Sequence, residues 1–411
     1  VSVSGPAGER HRYGARPGRT VDTSVTLARL MPVLDRIGVT RLADVTALDH
    51  VGIPVVQAVR PGSRSLSVSQ GKGATLDAAR VSAAMEALEF HHAENYSAPL
   101  TLASHSELRA RGAPLCEVGS LARREGSRFN DHIRIPWVLG TGLATGTERL
   151  VPFEMVDMDL VEPRPYLTGC FYGGTNGLAS GNCREEAVLH GLCEVVERDA
   201  NALWWNRPRS LPDVTRIEPD SITDPALRDL IGRFGAVGIS LYLWSMTSDL
   251  GIAAFSATAI DGSMGLFRRV PVIGGHGCHP NRAIALRRAV TEVAQARVTA
   301  ICASRDDITR ASLEKGTDGA AVTELRRHLD TEARPGDYGE VPDHRGTWVE
   351  EDIDLVLARI LGAGLPEPVA VDLTDPTIGI PVVKVIAPGL ESNPAERTRP
   401  GSRLSAVLEY R

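Results

Sequence analysis

The sequence predicts a mixed α/β (α+β) fold built around a repeated helix, and three observations predict it. Apolar residues recur at helical spacing in several long stretches and alternate in strand fashion in others, along the whole chain. No low-complexity linker separates these stretches, so one continuous domain is expected over residues 21–411, after a flexible segment at residues 1–20 that is polar and rich in Gly and Arg. One helical pattern recurs three times without gaps. With 411 residues, 43% hydrophobic and 23% charged, the chain can bury a large core without staples, which excludes disorder, collagen and a small disulfide scaffold.

The elements follow in order. Leu27, Leu30, Met31, Leu34 and Ile37 have helical spacing. Residues 40–48 are short and mixed, residues 51–59 and 65–69 read as strands, and Gly71-Lys72-Gly73 is expected to break the second of these. A helix is predicted from Leu76 to Asn95, then short strands, turns and a helix near Ser106 over residues 99–165. Gly173–Gly177 reads as a loop, followed by a long helix from Arg184 to Trp205. Residues 235–275 alternate as strands and lead into a helix from Arg282 to Ser304. The charged stretch 305–348, interrupted by Gly and Pro, is the best candidate for a mobile excursion. A helix near Ile353–Leu361 and strands at 369–373 and 382–386 close the chain.

Charge and cysteine usage narrow the function. The formal net charge is −6, which argues against a general nucleic-acid binder. Six scattered cysteines without a C-x-x-C pair suit reduced thiols, and Cys193, among apolar neighbours, reads as a core thiol. Residues 1–5 show no signal pattern, and no apolar run approaches the roughly 20 residues of a membrane span, so a soluble, cytoplasmic protein is expected. Only Lys72, Lys315 and Lys384 are lysines; the rest of the Lys+Arg total of 45 are arginines.

The repeat carries the chemistry. Offset by 108 positions, Gly73 meets Gly181, Ala79 meets Ala187, Glu86 meets Glu194 and Glu89 meets Glu197. A further 98 brings Ala187 to Ala285, Glu194 to Glu292 and Glu197 to Gln295. Such offsets fall on one helix face, so the paired carboxylates project together. Their neighbours are apolar: Ala83, Ala84, Met85 and Leu88 in the first helix, Val188, Leu189, Leu192, Val195 and Val196 in the second. One Glu-x-x-Glu pair is usual on a solvated face. Two in gapless repeat with apolar flanks need a compensating cation, and carboxylate oxygens suit Mg²⁺, which bridges to phosphates. A di-iron bundle would require Glu-x-x-His, and no His stands three after these glutamates.

Phosphate-handling residues surround the repeat. Lys72 lies in Ser69-Gln-Gly-Lys-Gly73, between a strand and a helix N-terminus, without Walker A spacing. Arg198 and Arg297 could each clamp phosphate oxygens or serve as surface salt-bridge partners. Asn182 and Glu186 open the second helix in a capping position and could equally bind a ribose or a metal. His276-Gly-Cys-His279 makes poor zinc geometry by itself, and His279-Pro280 reads as the start of the third helix.

Together, Gly71-Lys72-Gly73, Ser82-x3-Glu86-x2-Glu89, Asn176–Asn182, Glu186-Ala187, Glu194-x2-Glu197-Arg198-Asp199 and Glu292-x2-Gln295-x-Arg297 resemble the YcaO family, from about Arg19 to Glu391. The resemblance implies a fold with an internal pseudo-repeat and a non-P-loop ATP site. It implies Mg²⁺ at Glu86, Glu89, Glu194 and Glu197. It implies ATP contacts at Arg19, Thr26, Lys72, Ser82, Asn182, Glu186, Arg198, Gln295 and Arg297. Phe90 stands where many members carry Arg. YcaO proteins activate a peptide backbone amide with ATP, and the nucleophile decides the product: a Cys, Ser or Thr side chain gives an azoline, sulfide a thioamide, an amine a macroamidine. The run from Ile37 to Pro54 resembles standalone members paired with TfuA-type proteins, and the end Ser405–Arg411 lacks the Pro-rich tail of many azoline formers. The expected activity is therefore thioamide installation in a ribosomally synthesised precursor peptide. Macroamidine formation, azoline (thiazoline) cyclodehydration and a non-catalytic scaffold are the alternatives. The implied partners are the precursor peptide, a TfuA-type or other partner protein, and a second copy in a homodimer.

Overall fold

A computed structural model describes residues 10–14, 18–164, 167–208, 215–262, 272–309, 319–331, 336–392 and 398–409. Three strand–helix units dominate it. In the first, helix α1 (Thr23–Leu34) leads to strands β1 (Arg41–Asp44), β2 (Val55–Val59) and β3 (Val68–Lys72) and helix α2 (Leu76–Glu94). Next come β4 (Thr101–Ser104), α3 (His105–Ala110), β5 (Arg134–Gly142) and β6 (Glu148–Pro152). The second unit is β7 (Leu178–Ser180) with α4 (Arg184–Asn206). The third repeats the first: α5 (Pro225–Ala236), β8 (Ile239–Ser245), β9 (Ala254–Asp261), β10 (Val272–Cys278) and α6 (Arg282–Cys302). The chain ends with α7 (Gly319–Thr331), α8 (Val349–Gly362), β11 (Val369–Asp372), β12 (Val382–Ile386) and α9 (Ser402–Glu409).

Strands β1-β2-β3 and β10-β9-β8 form two antiparallel three-stranded sheets, and β4-β5-β11-β12-β7 with β6 beside β5 form a third. Helix α2 covers the first sheet, α6 the second, and α4 lies on β12 and β7. Leu88, Trp137 and Val371 share one core; Leu192, Val356 and Val383 share another under α4 and α8; Phe234, Phe255 and Val290 fill the third. Val51 and Ile53 also enter that third core, so the lead-in to β2 ties the first unit to the third.

The repeat has a packing cause. A Cβ on Gly71 would stand 2.0 Å from Ala83 N and 2.2 Å from Ala79 O, and one on Gly277 would stand 2.2 Å from Ala285 O and 2.6 Å from Ala289 N. These are matching positions of the first and third units. The strand end lies flat on the helix backbone, which only Gly opposite Ala permits. The N-caps Thr75, Cys183 and Asn281 also match, so the three helices begin in one register.

Several expectations are corrected. Gly71 and Lys72 do not break the strand but form its last residues. Strand β2 starts after Pro54, which has no N–H to donate, rather than at Val51. Residues 1–9 and 15–17 of the expected flexible segment lie outside the described residues. Residues 10–14, by contrast, run beside the start of α8: Tyr13 N donates to Thr347 O at 3.1 Å, Val349 N to His11 O at 2.9 Å, and Tyr13 Oη to Asp352 at 2.5 Å. Of the expected excursion, 310–318 (with Lys315) and 332–335 lie outside the described residues. Val322 of α7 packs with Tyr242, Trp244 and Ile260. Among the described residues, no helix is long and apolar enough to cross a membrane.

Gly71→Ala forces a methyl into the α2 backbone and is expected to cost about 1–3 kcal/mol or more. Gly62→Ala, which meets nothing within 4 Å, should stay within about 0.5 kcal/mol of the parent. Urea midpoints of the two variants check this.

Candidate functional site

The shared register aims matching positions of α2, α4 and α6 into one space. Glu86, Glu194 and Glu292 line a single cleft, as do Glu89, Glu197 and Gln295. The cleft has a volume of about 1580 Å³, above the roughly 300–1,000 Å³ of a usual small-molecule pocket. It can hold more than one small ligand. Arg19, Thr26, Lys72, Ser82, Asn182, Glu186 and Arg198 line it as well.

Arg297 does not. Its guanidinium donates to Asp49 (2.8 and 3.0 Å) and Asp261 (3.2 Å), and the residue is 1% exposed. The expectation of a phosphate clamp is corrected: Arg297 lies two residues after Gln295, about 200° round the helix and so on the opposite face. There it fastens α6 to the lead-in to β2.

Strand ends position the carboxylates. Gln70 N donates to Glu86 Oε2 at 3.0 Å, and the matching His276 N donates to Glu292 Oε1 at 3.2 Å. Glu89 Oε1 accepts from Ser180 N (2.8 Å) and Ser180 Oγ (2.7 Å), joining α2 to β7. Arg198 Nη2 stands 3.6 Å from Glu194. Burial pushes the Glu86 and Glu194 carboxyls up, and carries Glu89 up to about 8 with help from the charges of Glu86 and Glu194. Glu292 moves the other way: against its burial, Lys72, His276 and Arg198 hold it well below the carboxylate range. Lys72 Nζ bonds directly to Glu292 Oε2.

A second network closes one wall. Glu186 Oε1 accepts from Thr20 Oγ1 at 2.7 Å and from Thr20 N, and Glu186 Oε2 accepts from Asn182 N and Nδ2, both at 2.9 Å. Thr26 Oγ1 donates to Asn182 Oδ1 at 2.8 Å. Despite burial, Arg19 and these donors lower the Glu186 pKa.

The donor set suits Mg²⁺. The ligands are hard oxygens, and three of the four carboxylates are held partly against ionisation, as expected where a cation is the missing partner. No three of the four bring donor atoms within 4.8 Å of one another; the one group of three that does so among the described residues is His11, Cys183 and Glu185. Mg²⁺ takes one or two carboxylates and completes its shell with waters and phosphate oxygens, so spread carboxylates fit it better than a closed protein cage would.

Sequence reasoning missed His190, Arg288 and Arg305, which line the same cleft. Arg288 Nη2 donates to His190 Nε2 at 2.5 Å, and burial with Arg288, Arg19 and Lys72 nearby keeps His190 neutral. The signal was present: the same offsets place Ser82, His190 and Arg288 at one position of the repeat. His276 and the buried Cys278 end strand β10, and His279 accepts from Asn281 N, the N-cap of α6, at 2.9 Å, so His279-Pro280 leads into the third helix as expected.

The family model described as YcaO cyclodehydratase, ATP- and Mg²⁺-binding, matches residues 70–391. The chain belongs to the YcaO family. A protein of Rhizobium leguminosarum bv. trifolii, named for its place in the 3′ region of tfuA, is 38% identical over 91% of this chain and 88% of its own length. A Methanothermobacter thermautotrophicus protein is 35% identical over 95% of this chain and 99% of its own. The structure of YcaO from Methanopyrus kandleri bound with AMPPCP and Mg²⁺ covers 91% of this chain and 92% of that one, with TM-score 0.71 and 25% identity. A heterocyclase in complex with substrate and cofactor has TM-score 0.73 at 24% identity; it covers 95% of this chain, which spans about half (55%) of that one. The mixed α/β YcaO fold is thus as expected. Phe90, 3% exposed, packs into the core beside the cleft.

Two outcomes follow. A raised carboxyl pKa favours the folded state fully below about 4.5, and that contribution is lost as pH rises through about 8. Metal-free Glu89→Gln should therefore melt above the parent at about pH 9, with the gap closing towards about pH 5; a pH-independent gap would show that Glu89 ionises normally. Arg297→Met leaves Asp49 and Asp261 buried without their cation. It should lower unfolding free energy in urea titrations by about 3–5 kcal/mol while leaving nucleotide-dependent thermal stabilisation intact.

Proposed function

We propose that this chain is an ATP- and Mg²⁺-dependent enzyme that activates a backbone amide of a ribosomally synthesised precursor peptide and installs a thioamide. The observation that carries the reading is the convergence of Glu86, Glu89, Glu194 and Glu197 on one cleft with Lys72, Arg198, Arg288 and Arg305. We read residues 21–411 as one domain organised around that cleft.

Each group then has a task. The four glutamates hold Mg²⁺, which neutralises charge on the transferring phosphoryl oxygens. Lys72 and Arg198 face the phosphates, and Ser82 and Gln295 border them. Arg19, Thr26, Asn182 and Glu186 form the wall that holds the remainder of the nucleotide. The amide oxygen takes the phosphoryl group, sulfide adds at the amide carbon, and the oxygen departs with phosphate, leaving C=S. His190, kept neutral by burial and the cations around it, accepts from Arg288 through Nε2 and so holds that guanidinium in the cleft. The thioamide assignment is supported by the 38% identical Rhizobium protein from the tfuA 3′ region, which also makes a TfuA-type protein the partner to test first.

Glu197→Gln should keep its melting curve while ATP-derived product release falls by about 10²-fold or more. Peptide treated with ATP, sulfide and the partner should gain mass by exchange of oxygen for sulfur. Loss of one water instead would assign ring closure, and full turnover by folded Glu197→Gln would remove the metal role of that helix.

A further inference from the structure

Outside the cleft, three metal-capable side chains from distant parts of the chain meet. His11 belongs to the segment running beside α8, Cys183 is the N-cap of α4, and Glu185 lies in the first turn of α4. Their donor atoms all lie within 4.8 Å of one another, and none of the three lines the cleft.

We propose that His11, Cys183 and Glu185 bind one transition-metal ion of the Zn²⁺ type, which staples the N-terminal segment to the start of α4. The spacing supports this. With bonds of about 2.1 Å, neighbouring donors of a tetrahedral site stand about 3.4 Å apart. His11 Nδ1 is 3.3 Å from Glu185 Oε2. An imidazole, a thiol and a carboxylate form a mixed N, S and O set that selects Zn²⁺ over Mg²⁺. A His–carboxylate ion pair accounts for His11 and Glu185, and the N-cap sulfur of Cys183, facing the main-chain N–H groups of Glu185 and Glu186, stands beside both and makes the cluster a ligand set.

Glu350 supplies the support. Its Oε1 lies 2.9 Å from His11 Nδ1, and its carboxylate also accepts the His11 main-chain N–H at 2.9 and 3.2 Å. With Nδ1 on the ion, it either fills the fourth position or holds His11 in place through that main-chain N–H while water takes the position. The two acidic first-turn residues, Glu185 in α4 and Glu350 in α8, offset the positive helix ends that would otherwise repel a cation. His11 and Glu185 keep 31% and 28% of their side-chain surface, which leaves an entry path.

The location gives the ion a structural role. Cys183 stands between Asn182, just before α4, and Glu186 in its first turn, which both shape the cleft wall, and Thr20, further along the tethered segment, donates to Glu186. An ion on the outer side of that wall holds it from behind. This site does not depend on the reaction proposed above.

Titration of the full chain with Co²⁺ tests the assignment. Thiolate-to-cobalt charge-transfer absorption should grow to saturation at one equivalent per chain and be absent in Cys183→Ser. His11→Ala, with every thiol intact, should lose the band or shift its midpoint tenfold or more, and Glu350→Gln should weaken binding by roughly 10–100-fold. Zn²⁺ should raise the melting temperature of the parent but not of His11→Ala. No thiolate band in the parent, or an unchanged band in Cys183→Ser or His11→Ala, overturns the proposal and leaves His11 as an ion-pair partner of Glu185 and Glu350. A Cys183→Ser chain that does not fold leaves the His11→Ala comparison to decide.

Discussion

The structure depends on how closely a strand end can lie on a helix. Gly71 against Ala79 and Ala83, and Gly277 against Ala285 and Ala289, bring backbone to backbone with no side chain between them. A contact that close has little freedom to slide, because a shift of one residue would put a larger side chain on the helix. The helix register is therefore set at its first turns. Glu86 and Glu292, two turns further on, inherit it, and each is met by the main-chain N–H of a matching strand residue. A packing constraint at the base of each unit becomes positional accuracy at the cleft.

That accuracy carries an electrostatic cost. Several carboxylates share a partly dry space, and burial favours the protonated form of Glu86, Glu89 and Glu194. Glu186 and Glu292 share the same cleft yet stay ionised, because each has its own donors or cations. The cleft thus separates into carboxylates already satisfied by the protein and carboxylates waiting for something positive. Composition alone could not show this division, since all of them count equally towards the net charge of −6.

Long helices and the repeated carboxylates were legible in the sequence because spacing on one helix face is a local property. Helices α2, α4 and α6 were placed to within a residue or two for that reason. What escaped was set by tertiary partners. The three-residue strand β7 has too few positions to display a period, and it exists because β12 pairs with it. Arg297 carries the right charge on the right helix, yet Asp49, far away in sequence, decides its role. Helical geometry already placed it off the carboxylate face, so that error was avoidable. His190 and Arg288 were also within reach, since reading the repeat across every position, and not only the acidic ones, brings them beside Ser82.

Lys72 is one of three lysines in a chain that otherwise uses arginine for its permanent positive charge. It ends β3 and reaches across to Glu292 on α6, an ionic strap between the first and third units. An arginine there could grip the carboxylate with a rigid two-pronged fork, whereas an ammonium on a flexible stem is a point charge that changes partner with little loss. An anion entering the cleft competes with Glu292 for that charge. This strap is then released when the cleft fills, while Arg297 on Asp49 and the shared core of Val51 and Ile53 still hold the two units together, so occupancy loosens the units at the cleft and leaves their base fixed.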